Sequence, residues 1–164
     1  TLIIKDTNLL YMYEDGTYIP LTVQEAVDVT SYIYSLYMVN NINVIRIGLQ
    51  NTESINEGED VVGGPFHPAF RQLVEEKIYF TSIYNILKDK NIDDRQIKIL
   101  ANNKEISNIC GQNKANIIKL KNIFNIKKVS FEISNDNNII EIYINSKKLG
   151  SFNKHDIYKN YLNN

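Results

Sequence analysis

His67 is the side chain most open to a chemical role, because G-E-D-V-V-G-G-P-F-H-P-A-F (58–70) suits neither a helix nor a strand. An imidazole can ligate, donate a hydrogen bond or move a proton near neutral pH. Its surroundings are stiff. Gly63 and Gly64 admit backbone conformations with φ > 0, while Gly64 and His67 each precede a proline and are pushed toward extended conformations. Pro68 suits the first position of a helix, where its missing N–H costs nothing. Beyond it Phe70, Leu73 and Val74 share one helical face and Arg71, Glu75 and Glu76 the other. The loop therefore docks a helix and holds His67 at its N-terminal edge, where it either caps and packs or serves a site. Arg46 is a second candidate, since it interrupts the apolar run V-I-R-I-G-L (44–49). A buried guanidinium either pairs with a carboxylate or points into a site.

The elements expected to position these residues form a βαβ unit. L-I-I-K (2–5) reads as a short buried strand, and Glu14-Asp15-Gly16 as a turn. T-V-Q-E (22–25) is a capping box, in which Thr22 caps the helix and Glu25 reaches back to the Thr22 N–H. The helix runs to about Val39, with Ala26, Val27, Ile33, Leu36 and Tyr37 as core candidates, and V-I-R-I-G-L follows as the second strand. Parallel strands joined by a helix imply a right-handed crossover, and ligands meet the carboxyl ends of such strands. Those ends are Lys5-Asp6-Thr7 and Gly48-Leu49-Gln50-Asn51. Two strands and one helix cover neither sheet face, so this part reads as the end of a larger α/β array.

A third constellation lies further on. T-S-I-Y-N-I-L-K-D-K (81–90) is a short helix, R-Q-I-K-I-L-A (95–101) a strand, and K-E-I-S-N-I-C (104–110) one or two helical turns. Gly111 breaks the pattern before K-A-N-I-I-K-L-K-N-I-F (114–124) resumes helical spacing. K-K-V-S-F-E-I (127–133) and N-I-I-E-I-Y-I (138–144) alternate as strands, with S-N-D-N-N between them as a hairpin turn. Eight basic residues and one acid, Glu105, lie between Arg95 and Phe131. Gly111 and Lys114 sit at a helix N-terminus, where anions bind; with Lys119 and Lys121 they are the nucleic-acid-binding candidates.

Charge divides the chain. Residues 1–80 hold four Lys/Arg against eleven Asp/Glu, whereas 81–164 hold fourteen against eight. All three prolines and five of the seven glycines fall in the first part, so two units (1–80 and 81–164) are expected, with a boundary near 77–82. The single cysteine, Cys110, rules out an internal disulfide framework and a multi-cysteine metal site, and fits a reducing cytoplasm. No run approaches a membrane span and no signal peptide opens the chain.

Together T-L-I-I-K-D-T-N-L, T-V-Q-E-A-V, V-I-R-I-G-L-Q-N-T and D-V-V-G-G-P-F-H-P-A-F-R-Q-L-V-E-E resemble the C-terminal part of radical SAM proteins. The closest class is bacterial proteins similar to the elongator complex's catalytic subunit, some of them named oxygen-independent coproporphyrinogen oxidase. The resemblance covers residues 1–77. It implies that 1–50 end a partial (β/α) barrel, with Arg46, Gln50 and His67 near substrate or S-adenosylmethionine. It also implies a parent enzyme whose C-x-x-x-C-x-x-C loop holds a [4Fe–4S] cluster, with S-adenosylmethionine on the open iron. This chain has no such loop, so no cofactor is expected within it; the missing N-terminal part of the same protein is the expected partner and the chain is inactive alone. The later order, with I-C-G-Q-N-K-A-N-I-I-K-L, is similar to a KH module, whose GxxG loop clamps backbone phosphates. Lys114 stands where the second glycine would be. The resulting expectation is an α/β chain: a terminal βαβ piece of a partial (β/α) barrel plus a small α+β KH-like module. Its parent would act on RNA such as tRNA, or on a small molecule such as a coproporphyrinogen. A stand-alone interaction domain is the third alternative.

Overall fold

The computed structural model describes residues 1–49, 60–93, 95–136 and 138–163. The elements begin with β1 (Ile3–Ile4), α1 (Asn8–Glu14), α2 (Val23–Val39), β2 (Val61–Gly63) and α3 (Phe70–Leu87). They continue with β3 (Gln96–Ala101), α4 (Asn103–Cys110), a 3-10 turn (Gln112–Lys114) and α5 (Ala115–Phe124). The chain then forms β4 (Lys128–Ile133), β5 (Ile139–Ile144), β6 (Lys147–Asn153) and α6 (Asp156–Leu162). The fold is α/β, and no helix among the described residues is long and apolar enough to cross a membrane.

The capping box forms as its residues dictate: the Glu25 N–H donates to Thr22 Oγ1 at 3.2 Å, and the Thr22 N–H donates to the Glu25 carboxylate at 2.8 Å. The expected βαβ unit does not form. Residues 44–47 have no ladder partner among the described residues, and β1 pairs antiparallel with β2, Ile3 opposite Gly63. The β-branched run that suggested a parallel strand is equally suited to unpaired extended backbone, and a strand needs a neighbour to pair with. Ile45 is 89% exposed.

The expected core face of α2 also shifts. Ala26 and Val27 are buried as read, but Ser31, Tyr34 and Ser35 complete the buried face, and Ile33, Leu36 and Tyr37 are exposed. The small residues let α2 pack against α3 and α6, and Ser31 Oγ is satisfied by donating to the Val27 carbonyl at 2.7 Å. Tyr34 meets Tyr158 of α6 edge-on, with ring centroids 5.4 Å apart.

The larger sheet has the order β4-β3-β5-β6. β3 runs parallel to β4 (Ile97 opposite Val129) and antiparallel to β5 (Ile97 opposite Ile144). The expected β4–β5 hairpin is therefore corrected: those strands flank β3, and the hairpin is β5–β6. Its two-residue turn, Asn145-Ser146, has φ values of 44° and 69°, the doubly positive geometry that matches strand twist. A parallel β3–β4 pair requires a long crossover, which α4 and α5 supply. Ile97, Ile99, Ile140, Ile142 and Phe152 point from the sheet into the core. On the other face Lys98 pairs with Glu132 and Lys148 with Glu141, as expected of a sheet solvated on one side.

The boundary expected near 77–82 falls inside α3. That helix buries Phe70 and Val74 in its first half and Ile83 and Leu87 in its second, and all four belong to one continuous cluster of buried apolar side chains. A buried polar network crosses the same junction. Tyr79 of α3 donates to Glu105 of α4, and Lys154, just after β6, completes an ion pair with that carboxylate. Burial first, and the Glu105 carboxylate second, hold the Tyr79 phenol far above its ordinary range. The residues of that boundary are thus helical and packed at both ends of α3.

Candidate functional site

The GGPFHP loop is pinned by close backbone contact. Gly64 has φ = 99°, and a Cβ at this position would lie 2.7 Å from the Thr1 carbonyl oxygen. Gly63 lies within β2, so Gly64 alone of the pair takes the left-handed conformation. Pro68 falls in the turn just before α3. His67 is held twice: its Nδ1 accepts the Ala69 N–H at 3.1 Å, and its carbonyl accepts the Phe70 N–H at 3.1 Å. With Nδ1 used as an acceptor, the neutral imidazole carries its proton on Nε2.

His67 and Arg46 are brought together as lining of one cavity of about 490 Å³. Its walls come from Leu2 beside β1, the outward face of α2 (Val29, Ile33, Tyr37), residues 44 and 46–49, and Phe66 and Phe70 around the docking loop. Arg46 also lines a second, smaller cavity of about 180 Å³ beside Pro68 and Arg71. The larger cavity is mostly apolar, and no aspartate or glutamate lines it among the described residues. Gln50 lies outside the described residues.

Tyr37, Ile33 and Phe66 were not read as cavity walls. The signal for α2 was present: apolar residues occur on more than one of its faces, and only one face can meet α3.

Gly111 ends α4 with φ = 73° and is buried; its N–H donates to the Ser107 carbonyl at 3.0 Å. A Cβ there would stand 3.1 Å from Asn116 Cγ. Asn116 is buried and donates to the Glu76 carbonyl at 3.0 Å and the Asn108 carbonyl at 3.3 Å, which locks the α4–α5 corner onto α3. Lys114 is left-handed and exposed, and its N–H donates to the Gly111 carbonyl at 3.0 Å. Lys119 is exposed, with Nζ 6.0 Å from the centroid of the Phe80 ring, and Lys121 is half-buried. Lys119 also lines a cleft with Lys77, Asp28 and Glu76, so the basic corner adjoins acids. Lys77 and Asp28 form an ion pair at 2.9 Å.

These residues do not fit an iron–sulfur cluster. Cys110 supplies one thiol where three are needed, and burial pushes that thiol up, away from the thiolate form that ligates iron. No group of three or more His, Cys, Asp or Glu suited to a metal ion occurs among the described residues.

Residues 1–79 match the model of the Radical_SAM C-terminal domain family. No curated protein and no solved structure matches the chain. The matched segment contains β1, α2, the docking loop, both candidate side chains His67 and Arg46, and the first half of α3. Over these residues, just under half of its length, the chain is similar to a radical SAM C-terminal domain.

Proposed function

We propose that this chain is the C-terminal part of a radical SAM enzyme similar to the elongator complex's catalytic subunit. In this reading the parent's barrel holds the [4Fe–4S] cluster and S-adenosylmethionine, and residues 1–79 seat against that barrel with Arg46 and His67 on the substrate side. The observation that carries the reading, beside the family match, is where apolar surface lies. Fourteen of the eighteen large apolar side chains exposed among the described residues fall within 1–62, including Ile45 and Ile19 at 89% and 84%. A surface this apolar marks an interaction face. The reading frame upstream of the Thr1 codon is expected to encode three cysteines at C-x-x-x-C-x-x-C spacing. An upstream frame that encodes no such cysteines contradicts it and leaves a stand-alone interaction domain.

The second part is proposed to present an RNA substrate such as tRNA. Two observations favour this over a small-molecule oxidoreductase: the strand–helix–turn–helix–strand order of β3 to β4, and Lys114 exposed at the corner between the helices. Binding that rests on phosphate contacts falls steeply with salt. In a fluorescence-anisotropy titration with tRNA, replacing Lys114 by Glu together with Gly111 by Asp is expected to weaken binding by more than about tenfold. Because a side chain at position 111 would press on Asn116, the single variant Lys114→Glu is measured beside it, with a circular-dichroism melt on both. No binding at low salt, or equal binding by a folded Lys114→Glu variant, removes RNA from the account.

A further inference from the structure

We propose that the chain self-associates through β4, an outer strand of the four-stranded sheet, in a two-fold dimer whose β4 strands pair antiparallel about Ser130.

The sheet has two outer strands, β4 and β6, and they differ. β6 shifts register against β5, contains Gly150 and begins with Lys147-Lys148. Irregularities and lysines of this kind keep an edge from pairing. β4 is unbroken. Its residues, K-V-S-F-E-I, match β3 one for one without a shift and include neither glycine nor proline. Among the described residues, no backbone hydrogen bond outside the β3–β4 ladder reaches Lys128–Ile133. A row of N–H and C=O groups along β4 therefore faces solvent, and such a row is a template for another strand.

The sequence of β4 selects the occupant. A two-fold axis at the edge sets the strand against its own copy, so that each contact occurs twice. Centred on Ser130, it places Lys128 opposite Glu132 of the second copy, Val129 opposite Phe131, and Ser130 opposite itself. Side chains alternate between the two faces, so Lys128, Ser130 and Glu132 share the solvated one. There Lys98 already pairs with Glu132 at 2.8 Å, and the second copy's Lys128 would lengthen that pair into a row. Val129 and Phe131 share the core face, where both are only half-buried. Ile133, at the strand's end on the same face, is 66% exposed. A second β4 thus joins opposite charges on one face and apolar side chains on the other, the cross-strand pairs that stabilise antiparallel ladders. Registers shifted by two residues set Lys128 or Glu132 opposite Ser130 and lose both charge pairs.

Sedimentation equilibrium of the whole chain over about 1–200 μM, the span of a weak interface, should show a monomer–dimer equilibrium. Lys128→Glu and Glu132→Lys each set like charges opposite one another at both pairs. Each should raise the dissociation constant about tenfold or more. An equimolar mixture of the two variants should restore the dimer, because only the mixed pair sets Glu against Lys at both positions. A circular-dichroism melt on each variant establishes that it is folded, Glu132→Lys above all, since it turns the Lys98 pair into a repulsion. Ser130→Cys tests the axis independently of those charges. With copper phenanthroline and air as oxidant it should form a disulfide-linked dimer, whereas Ser151→Cys, on the exposed side of β6, should not. A monomer throughout the range, or equal linkage through Ser130→Cys and Ser151→Cys, overturns the proposal. So does a dimer that ignores Lys128→Glu, the result expected if the exposed apolar side chains of residues 1–62 are what associate.

Discussion

Replacing Gly64 with valine lowers the melting temperature of the chain by roughly 6–12 °C. Two costs add. A β-branched residue held at φ = 99° carries backbone strain of about 1–3 kcal/mol. Its Cβ also meets the Thr1 carbonyl oxygen at 2.7 Å and Leu2 Cα at 3.1 Å, and such overpacking costs about 1–3 kcal/mol more. The sum, on the order of 3 kcal/mol, corresponds to that shift in a chain of this size. Gly64→Ala should lose less, because it removes the β-branch and keeps the rest. A valine variant that melts with the unmodified chain would mean that β1 can step away from the loop at no cost.

The second large effect concerns α3. Ile83 is fully buried in the half of α3 that packs toward the sheet, and Val74 is fully buried in the half that packs toward α2. Truncating Ile83 to alanine should cost about 2–5 kcal/mol, or roughly 5–15 °C. Because one core runs through both ends of the helix, Ile83→Ala, Val74→Ala and Ile140→Ala should each lower a single cooperative transition, seen alike by far-ultraviolet circular dichroism and by tyrosine fluorescence. Two transitions, with each substitution moving only one of them, would show that residues 1–80 and 81–164 unfold as separate units in spite of the shared helix.

What the sequence made legible follows from how local each signal is. The capping box at Thr22–Glu25 depends on four consecutive residues and reads correctly, as do β3, β4 and β5 from their alternation. His67 reads as a held residue because Pro68 and the glycines restrict its neighbours, and the structure supplies the partner, the Ala69 N–H. Signals that depend on distant partners were not legible. Residues 44–49 have the composition of a buried strand, but pairing is a property of two segments, and β1 pairs with β2 instead. The core face of α2 is not legible from hydropathy, because Ile33, Leu36 and Tyr37 are more apolar than Ser31 and Ser35, yet the two serines lie with Ala26, Val27 and Tyr34 on the packed side. S-N-D-N-N drew attention as the hairpin turn because it is long and polar, while the true turn is the pair Asn145-Ser146. The cavity joins residues 2, 33, 46 and 67, and no local pattern announces such a meeting.

The central proposal, that residues 1–79 are the end of a radical SAM enzyme whose cluster lies elsewhere in the same protein, is tested by iron. The product of the whole reading frame, purified and reconstituted without oxygen, should contain about four iron and four sulfide per chain, the content of one [4Fe–4S] cluster, with the broad visible absorption of such a cluster. Residues 1–164 alone, treated identically, should contain none. A whole product that binds no iron, or a stoichiometric cluster on residues 1–164 by themselves, would contradict the account.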